Sequence, residues 1–345
     1  MIGAGERAYA YAKACGIIGK SYLGRRIAAL HPVSRLSELD RLVFGMEAKE
    51  LPERELLPDL ERRFSRRSVS AITAILNSYK NPPELLILLI QVYEYADLKT
   101  ALTLIAEGEI TAKPAFTPLG RFGTVHFEAW PDPKAMLAGT DFEFLLKRYF
   151  NKAGSAEKLS DENEGISLEA ALDRHYYSRL WASLKKLKKK DRRAAEKITA
   201  EEISLRNCAW VLRLRTYYGM KDYEVKQHLI DIKETPGLCA DALAALEFSL
   251  DNHSEWEKWK RFRFLNPGSF SGSWQADPRY FQNAASEYLY RLALHNFRLQ
   301  PSSIDTIFCF IKLKQFEEDL LTSNAEGLSM GMSGREVLTM LETAL

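Results

Sequence analysis

The stretch SSIDTIFCFIKLKQFEEDLLTSNAEG, residues 302–327, decides the fold class. From Ile304 onward, apolar residues recur at offsets of 0, 3, 4 and 7, which is the spacing of one face of an α-helix. Ser302 and Asp305 form a capping-box pattern at its start, and Gly327 suits a helix C-cap at its end. The sequence therefore predicts one long helix from Ser302 to Gly327.

Two other stretches repeat this pattern, each about a hundred residues from the next. One runs from Asn81 to Gly108 and the other from Thr199 to Gly219, so each ends at a glycine suited to a C-cap. Aligning the three predicted helices places Asp97, Ser204 and Lys314 at equivalent positions. The repetition predicts three copies of one helical module.

Each of these helices is preceded by another amphipathic one. Three helix pairs predict an all-α fold built from three similar modules. The predicted modules are residues 1–113, 114–228 and 229–345. The predicted loops are the Pro- and Gly-rich stretches 111–133 and 266–278 and the polar stretch 151–165.

Charge balance, cysteine spacing and the length of apolar runs exclude several classes of function. The 48 Lys and Arg residues nearly balance the 46 Asp and Glu residues, so a uniformly basic nucleic-acid coat is excluded. The four cysteines are too far apart for a zinc clip or a dithiol motif, and we predict that they are reduced core residues. No run approaches the roughly 20 apolar residues of a membrane span, which predicts peripheral membrane contact at most.

Two nucleotide-binding motifs have imperfect counterparts near the N-terminus. ACGIIGKS, residues 14–21, resembles a relaxed P-loop with Lys20, and residues 3–8 resemble a dinucleotide fingerprint. Both motifs require a preceding strand, whereas Glu6 to Cys15 has a helical composition. We therefore predict no catalytic residue, no cofactor and no metal ligand, and an enzyme that uses Lys20 is the least favoured alternative.

The repeated helices resemble those of the C-type subunit of V-type and A-type ATPases, a family that includes the d-type subunit of vacuolar ATPases. In that family the repeated helix often carries an acidic residue followed three positions later by Asn. The corresponding stretches here are residues 94–102 (EYADLKTAL), 202–209 (EISLRNCA) and 310–321 (FIKLKQFEEDLL). The stretch YAYAKA, residues 9–14, resembles the opening helix of the family. Only the first copy keeps the Asp and only the second keeps the Asn.

The resemblance implies a mechanical role. Family members are funnels of three helical domains around a pseudo-threefold axis, and they have no active site. They lie on the cytoplasmic face of the membrane and couple the central stalk, of D and F type subunits, to the membrane rotor ring of K/L or c type subunits. The same role is expected here in proton or sodium transport coupled to ATP synthesis or hydrolysis, with no nucleic-acid partner and with membrane contact made indirectly through protein.

Charged residues on the module helices are the candidates for partner contact. Lys99, Arg206 and Lys314 lie on the three repeated helices. A basic run, KKLKKKDRR, occupies residues 185–193 and contains Lys185, Lys186, Lys188, Lys189 and Lys190. This run fits an anionic surface, an acidic partner or a solvated helix end, and it supports the alternative of an α-helical adaptor or nucleic-acid-binding scaffold.

Overall fold

The computed structural model describes residues 3–150, 167–268 and 274–341, and within these ranges the chain forms fourteen α-helices and no β-strand. This confirms the all-α prediction for the described residues, whereas the predicted connection at residues 151–165 lies outside them. Short 3₁₀ segments, the longest being Gly24–Leu30, join several helices. The helices are α1 (Ala4–Ile18), α2 (Leu36–Phe44), α3 (Glu53–Leu76), α4 (Glu84–Glu107), α5 (Pro133–Leu137), α6 (Phe144–Tyr149), α7 (Leu168–Lys185), α8 (Arg193–Tyr218), α9 (Asp222–His228), α10 (Ala240–Ala245), α11 (His253–Trp256), α12 (Pro278–Leu299), α13 (Ile304–Ser329) and α14 (Gly334–Leu341).

Three long hairpins form the framework: α3 with α4, α7 with α8, and α12 with α13. They correspond to the three predicted helix pairs. Gly108 and Gly219 end α4 and α8 in the left-handed region, with φ of 77° and 60°, as predicted for C-cap glycines.

The ends of α13 differ from the prediction. Its N-cap is Ser303, whose Oγ accepts the N–H of Thr306 at 3.1 Å, and not Ser302. The helix also continues through Gly327 to Ser329, so Gly327 is not a cap. A Cβ at Gly327 would lie 2.3 Å from Val337 Cγ2 on α14, so the missing side chain serves close helix packing.

The hairpins pack in an order that closes on itself. The second helix of each hairpin lies against the first helix of the next, since α4 packs on α7 and α8 packs on α12. The last helix of the series, α13, packs on α3 of the first hairpin and also touches α1, α4 and α8. α13 is therefore the most enclosed helix, with an unbroken buried run from Ile304 to Lys314.

The connecting loops of the three hairpins meet at one end of the molecule, which we call the hairpin-tip face. Lys186 Nζ, after α7, lies 2.5 Å from Glu84 Oε2, at the start of α4. The Asp305 carboxylate, at the start of α13, accepts the N–H groups of Ala194 and Ala195 at 2.9 and 3.0 Å and so caps the start of α8 from another hairpin. The loops on this face are residues 77–83, 186–192 and 300–303.

A buried polar side chain lies near the middle of the second helix of each hairpin. On α4, α8 and α13 it accepts a backbone N–H from a segment outside its own hairpin. The contacts are Glu94 with Val125, Asn207 with Ile230 and Glu317 with Tyr22, at 2.7, 2.8 and 2.7 Å. The acceptors are spaced by 113 residues (94 to 207) and 110 residues (207 to 317). Their repetition favours a different alignment of the first copy from the one that equates Asp97 with Ser204 and Lys314.

The nucleotide-like motifs at the N-terminus lie on and just after a helix. Residues 14–18 of the P-loop-like stretch are the last turn of α1, and Lys20 follows in a turn. The buried cysteines Cys208, Cys239 and Cys309 and the partly buried Cys15 are all free thiols, as predicted. Within the described ranges, no helix combines the length and the apolar character needed to cross a membrane.

Candidate partner-binding cleft

An open cleft of about 380 Å³ lies between α8, α12 and α13, the helices that join the second and third hairpins. Small residues, Ala209, Ala285 and Ser286, line part of it, and this leaves room for another backbone to approach closely. Trp210 and Phe316 provide aromatic surface. The charged residues that line it are Glu202, Arg206, Arg213, Lys312 and Asp319.

Two of these charges are paired inside the protein. Lys312 Nζ lies 2.7 Å from Glu202 Oε2, which ties α13 to α8. Tyr177 of α7 donates its hydroxyl to the other oxygen of Glu202 at 3.0 Å. This pair therefore fixes the spacing of the helices that form the cleft, and it leaves little charge free for a partner.

Asp173 on α7 brings two of the predicted partner-facing residues together. Arg206 Nη2 lies 2.9 Å from Asp173 Oδ2, and Lys99 Nζ of α4 pairs with the other oxygen. Burial alone raises the pKa of Asp173, but the two cations outweigh it and hold that pKa below its usual value. The Lys99–Asp173 pair thus bridges the first and second hairpins, whereas the Arg206–Asp173 pair joins the two helices of the second hairpin. Arg206 also lines the cleft.

Lys314 does not lie on a partner-facing surface, because its side chain is only 2% exposed. It forms a buried ion pair with Glu317 and donates to Ser21 Oγ at 3.3 Å. Burial lowers the pKa of Lys314, and the Glu317 carboxylate opposes that shift. This residue holds the segment after α1 against α13.

The basic run forms the loop between α7 and α8. Lys185 and Lys186 are engaged by Glu196 and Glu84 at 2.7 and 2.5 Å. Lys188, Lys189 and Lys190 are exposed, and none forms an ion pair with any residue that the structure describes. The structure therefore places this run on the hairpin-tip face, away from the cleft.

Two charged groups of the cleft were not predicted from the sequence. Arg213 is exposed, lies over the Trp210 ring at 5.6 Å and makes no ion pair within the described part of the chain. Asp319 is exposed to the cleft yet surrounded by protein, and this desolvation together with Glu318 raises its pKa to about 7. The signal available in the sequence was the spacing of Arg206, Trp210 and Arg213 on the face of α8 away from its buried stripe.

Comparison with known proteins assigns the chain to a family. The family described as ATP synthase (C/AC39) subunit matches residues 43–339, which is most of the chain. A protein of Treponema pallidum (strain Nichols), described as an uncharacterized protein, is 28% identical over 328 residues, covering 94% of this chain and 92% of the relative. The family match agrees with the repeated helix pairs, and the chain belongs to the ATP synthase (C/AC39) subunit family, which is the family of the C-type subunits of V-type and A-type ATPases.

Proposed function

We propose that this protein links the central stalk of a rotary ATPase to its membrane rotor ring and has no catalytic site of its own. Family membership, which supplies the ATPase setting, is the observation that carries the proposal. The partners would be D and F type stalk subunits on one side and K/L or c type ring subunits on the other. The protein would act at the cytoplasmic face of the membrane and would be attached to it mainly through protein.

The closed order of hairpin contacts supports a funnel of three modules around a pseudo-threefold axis. In this arrangement α4, α8 and α13 are equivalent helices, and each carries one of the three buried acceptors Glu94, Asn207 and Glu317. The contact of Glu317 with Tyr22 joins the last module to the first. Such closure suits a part that transmits torque, because load on one hairpin passes to both neighbours.

The cleft between α8, α12 and α13 is the proposed seat for a stalk helix. Its small residues allow close approach, while Trp210 and Arg213 are residue types that often dominate binding energy. Arg213 would pair with a carboxylate of the stalk, since no described carboxylate of this chain forms an ion pair with it. The basic run does not favour the adaptor or nucleic-acid-binding alternative over this role.

Binding to purified central-stalk subunits tests the proposal. We expect Trp210→Ala and Arg213→Glu to weaken binding by at least tenfold, about 1.4 kcal/mol. The matched control is Arg66→Glu on α3, which changes the charge equally at another exposed arginine. If the unaltered protein binds the stalk and both cleft variants bind it equally well, the stalk binds at a site other than the cleft. If the unaltered protein does not bind the stalk, the proposed role is contradicted.

A further inference from the structure

We propose that the hairpin-tip face lies against the membrane and that Lys188, Lys189 and Lys190 bind anionic phospholipid headgroups there. The inference goes beyond the stalk-binding role, because it concerns the loop before α8, outside the cleft, and a lipid partner. It rests on local charge, on the geometry of the three loops and on the residue types present.

The carboxylates around the three lysines are already engaged by other cations. Asp191 is nearly buried and pairs with Arg7 of α1 at 3.0 Å. Glu196 accepts Lys185 at 2.7 Å and also lies 3.3 Å from Arg192. Since Glu196 is shared by Lys185, Arg192 and the nearby Lys189, the three exposed lysines leave an excess of positive charge at this loop.

The neighbouring loops add further exposed cations to the same face. Lys80 lies in the loop between α3 and α4, Arg298 lies in the last turn of α12, and Arg193 begins α8. The inter-loop contacts of Lys186 and Asp305 hold the loops side by side. A face made of three adjacent loops can present these charges together to an extended, flat surface.

The residue types favour lipid over an acidic protein. Lysine is depleted in protein interfaces, where aromatic residues and arginine are enriched, whereas exposed lysine clusters are typical of electrostatic attraction to anionic lipids. The cleft, in contrast, contains Trp210, Phe316 and Arg213, and it is centred about 13 residues, or roughly 20 Å, along α8 from the loop. The stalk and the membrane would then contact different parts of the same hairpin, the stalk its middle and the membrane its tip.

Sedimentation of the full-length protein with lipid vesicles tests this inference. The vesicles are phosphatidylcholine alone or an equimolar mixture with phosphatidylserine. At low ionic strength we expect binding to the mixed vesicles only, weakening strongly at about 0.15 M salt because the charges are exposed. Replacing Lys188, Lys189 and Lys190 together by alanine should lower the affinity roughly a hundredfold, at about 1 kcal/mol for each lysine.

The control removes three lysines from the other end of the α7–α8 hairpin. Lys221, Lys226 and Lys233 are exposed, and their triple alanine variant has the same net charge as the tip variant. Retained vesicle binding by this control supports the assignment, whereas equal loss in both variants would contradict it. The tip variant could instead bind vesicles as well as the unaltered protein does and fail to bind ring subunits. That result would identify the face as an interface with an acidic protein and would contradict the lipid assignment. The tip variant should retain stalk binding, so failure of this inference is distinguishable from failure of the proposed function.

Discussion

Buried charges at single positions hold the modules together. Lys314 and Glu317 illustrate this, since both are almost fully buried and the Glu317 carboxylate also accepts the N–H of Tyr22. From the sequence, a lysine on a helix is interpreted as a solvated or partner-facing charge, because burial depends on which distant segment packs over it. The prediction for Lys314 failed for this reason, whereas Arg206 lines the cleft and its contact with a partner stays a prediction.

Asp319 should make stability depend on pH near neutrality. Desolvation by the surrounding protein and the charge of Glu318 raise its pKa to about 7 in the folded protein, while the unfolded chain has the ordinary lower value. The folded state therefore binds the proton more tightly, and stability falls as pH rises through this range. Asp319→Asn should relieve the penalty, so its melting temperature relative to the unaltered protein should increase from pH 5 to pH 8.

Thermal unfolding at both pH values measures this difference. Glu326→Gln on the same helix is the control, because it also replaces one carboxylate by an amide on α13. An Asp319→Asn effect that does not change with pH would contradict the raised pKa.

The sequence predicted which segments form the long helices more accurately than it predicted where those helices begin and end. Helical spacing of apolar residues and the terminal glycines predicted the C-terminal ends of α4 and α8 correctly. The same reasoning failed at Gly327. A glycine can be required at a left-handed cap or where two helices pack closely, and the sequence does not distinguish the two, because both depend on the missing Cβ. Likewise, Asp305 resembles part of a local capping box but caps α8 of another hairpin. The sequence around Asp305 does not indicate its hydrogen bonds to α8.

Gly327→Ala should destabilise the packing of α14 on α13. The added Cβ would lie 2.3 Å from Val337 Cγ2, and overpacking of this kind costs about 1–3 kcal/mol. The second variant, Val337→Ala, makes room for that methyl group, so the double variant should recover part of the loss. Urea unfolding of the single and double variants measures the coupling between the two sites.

Additive losses in the double variant would contradict the assigned packing role. Gly219→Ala is the comparison at a left-handed cap, where φ is 60° and no atom lies within 4 Å of the added Cβ. Its cost should come from backbone strain and should be insensitive to Val337→Ala.

At the scale of the whole molecule, repetition in the sequence was the informative signal. It predicted three helix pairs, and the structure contains them as three hairpins. The cleft was not predictable, because its walls come from α8, α12 and α13 and depend on how two modules meet. The module boundaries and the threefold axis remain predictions, supported by the closed order of contacts and by the repeated buried acceptors.

The proposed coupling role predicts an effect on ion transport, which stability measurements do not test. A link between stalk and ring is required for transport but not for the hydrolysis of ATP in the catalytic head. Its loss should therefore separate two activities that are joined in the intact enzyme.

ATP hydrolysis and ATP-driven ion uptake, measured together in membrane vesicles from cells that lack this protein, test the central claim most directly. The control is the same strain with the protein restored. We expect ion uptake by the vesicles to be lost in the deletion strain while hydrolysis continues, either uncoupled in the vesicles or, if the head detaches, in the soluble fraction of the same cells. Both activities should recover in the vesicles on restoration. Ion uptake that remains intact without the protein would contradict the coupling role.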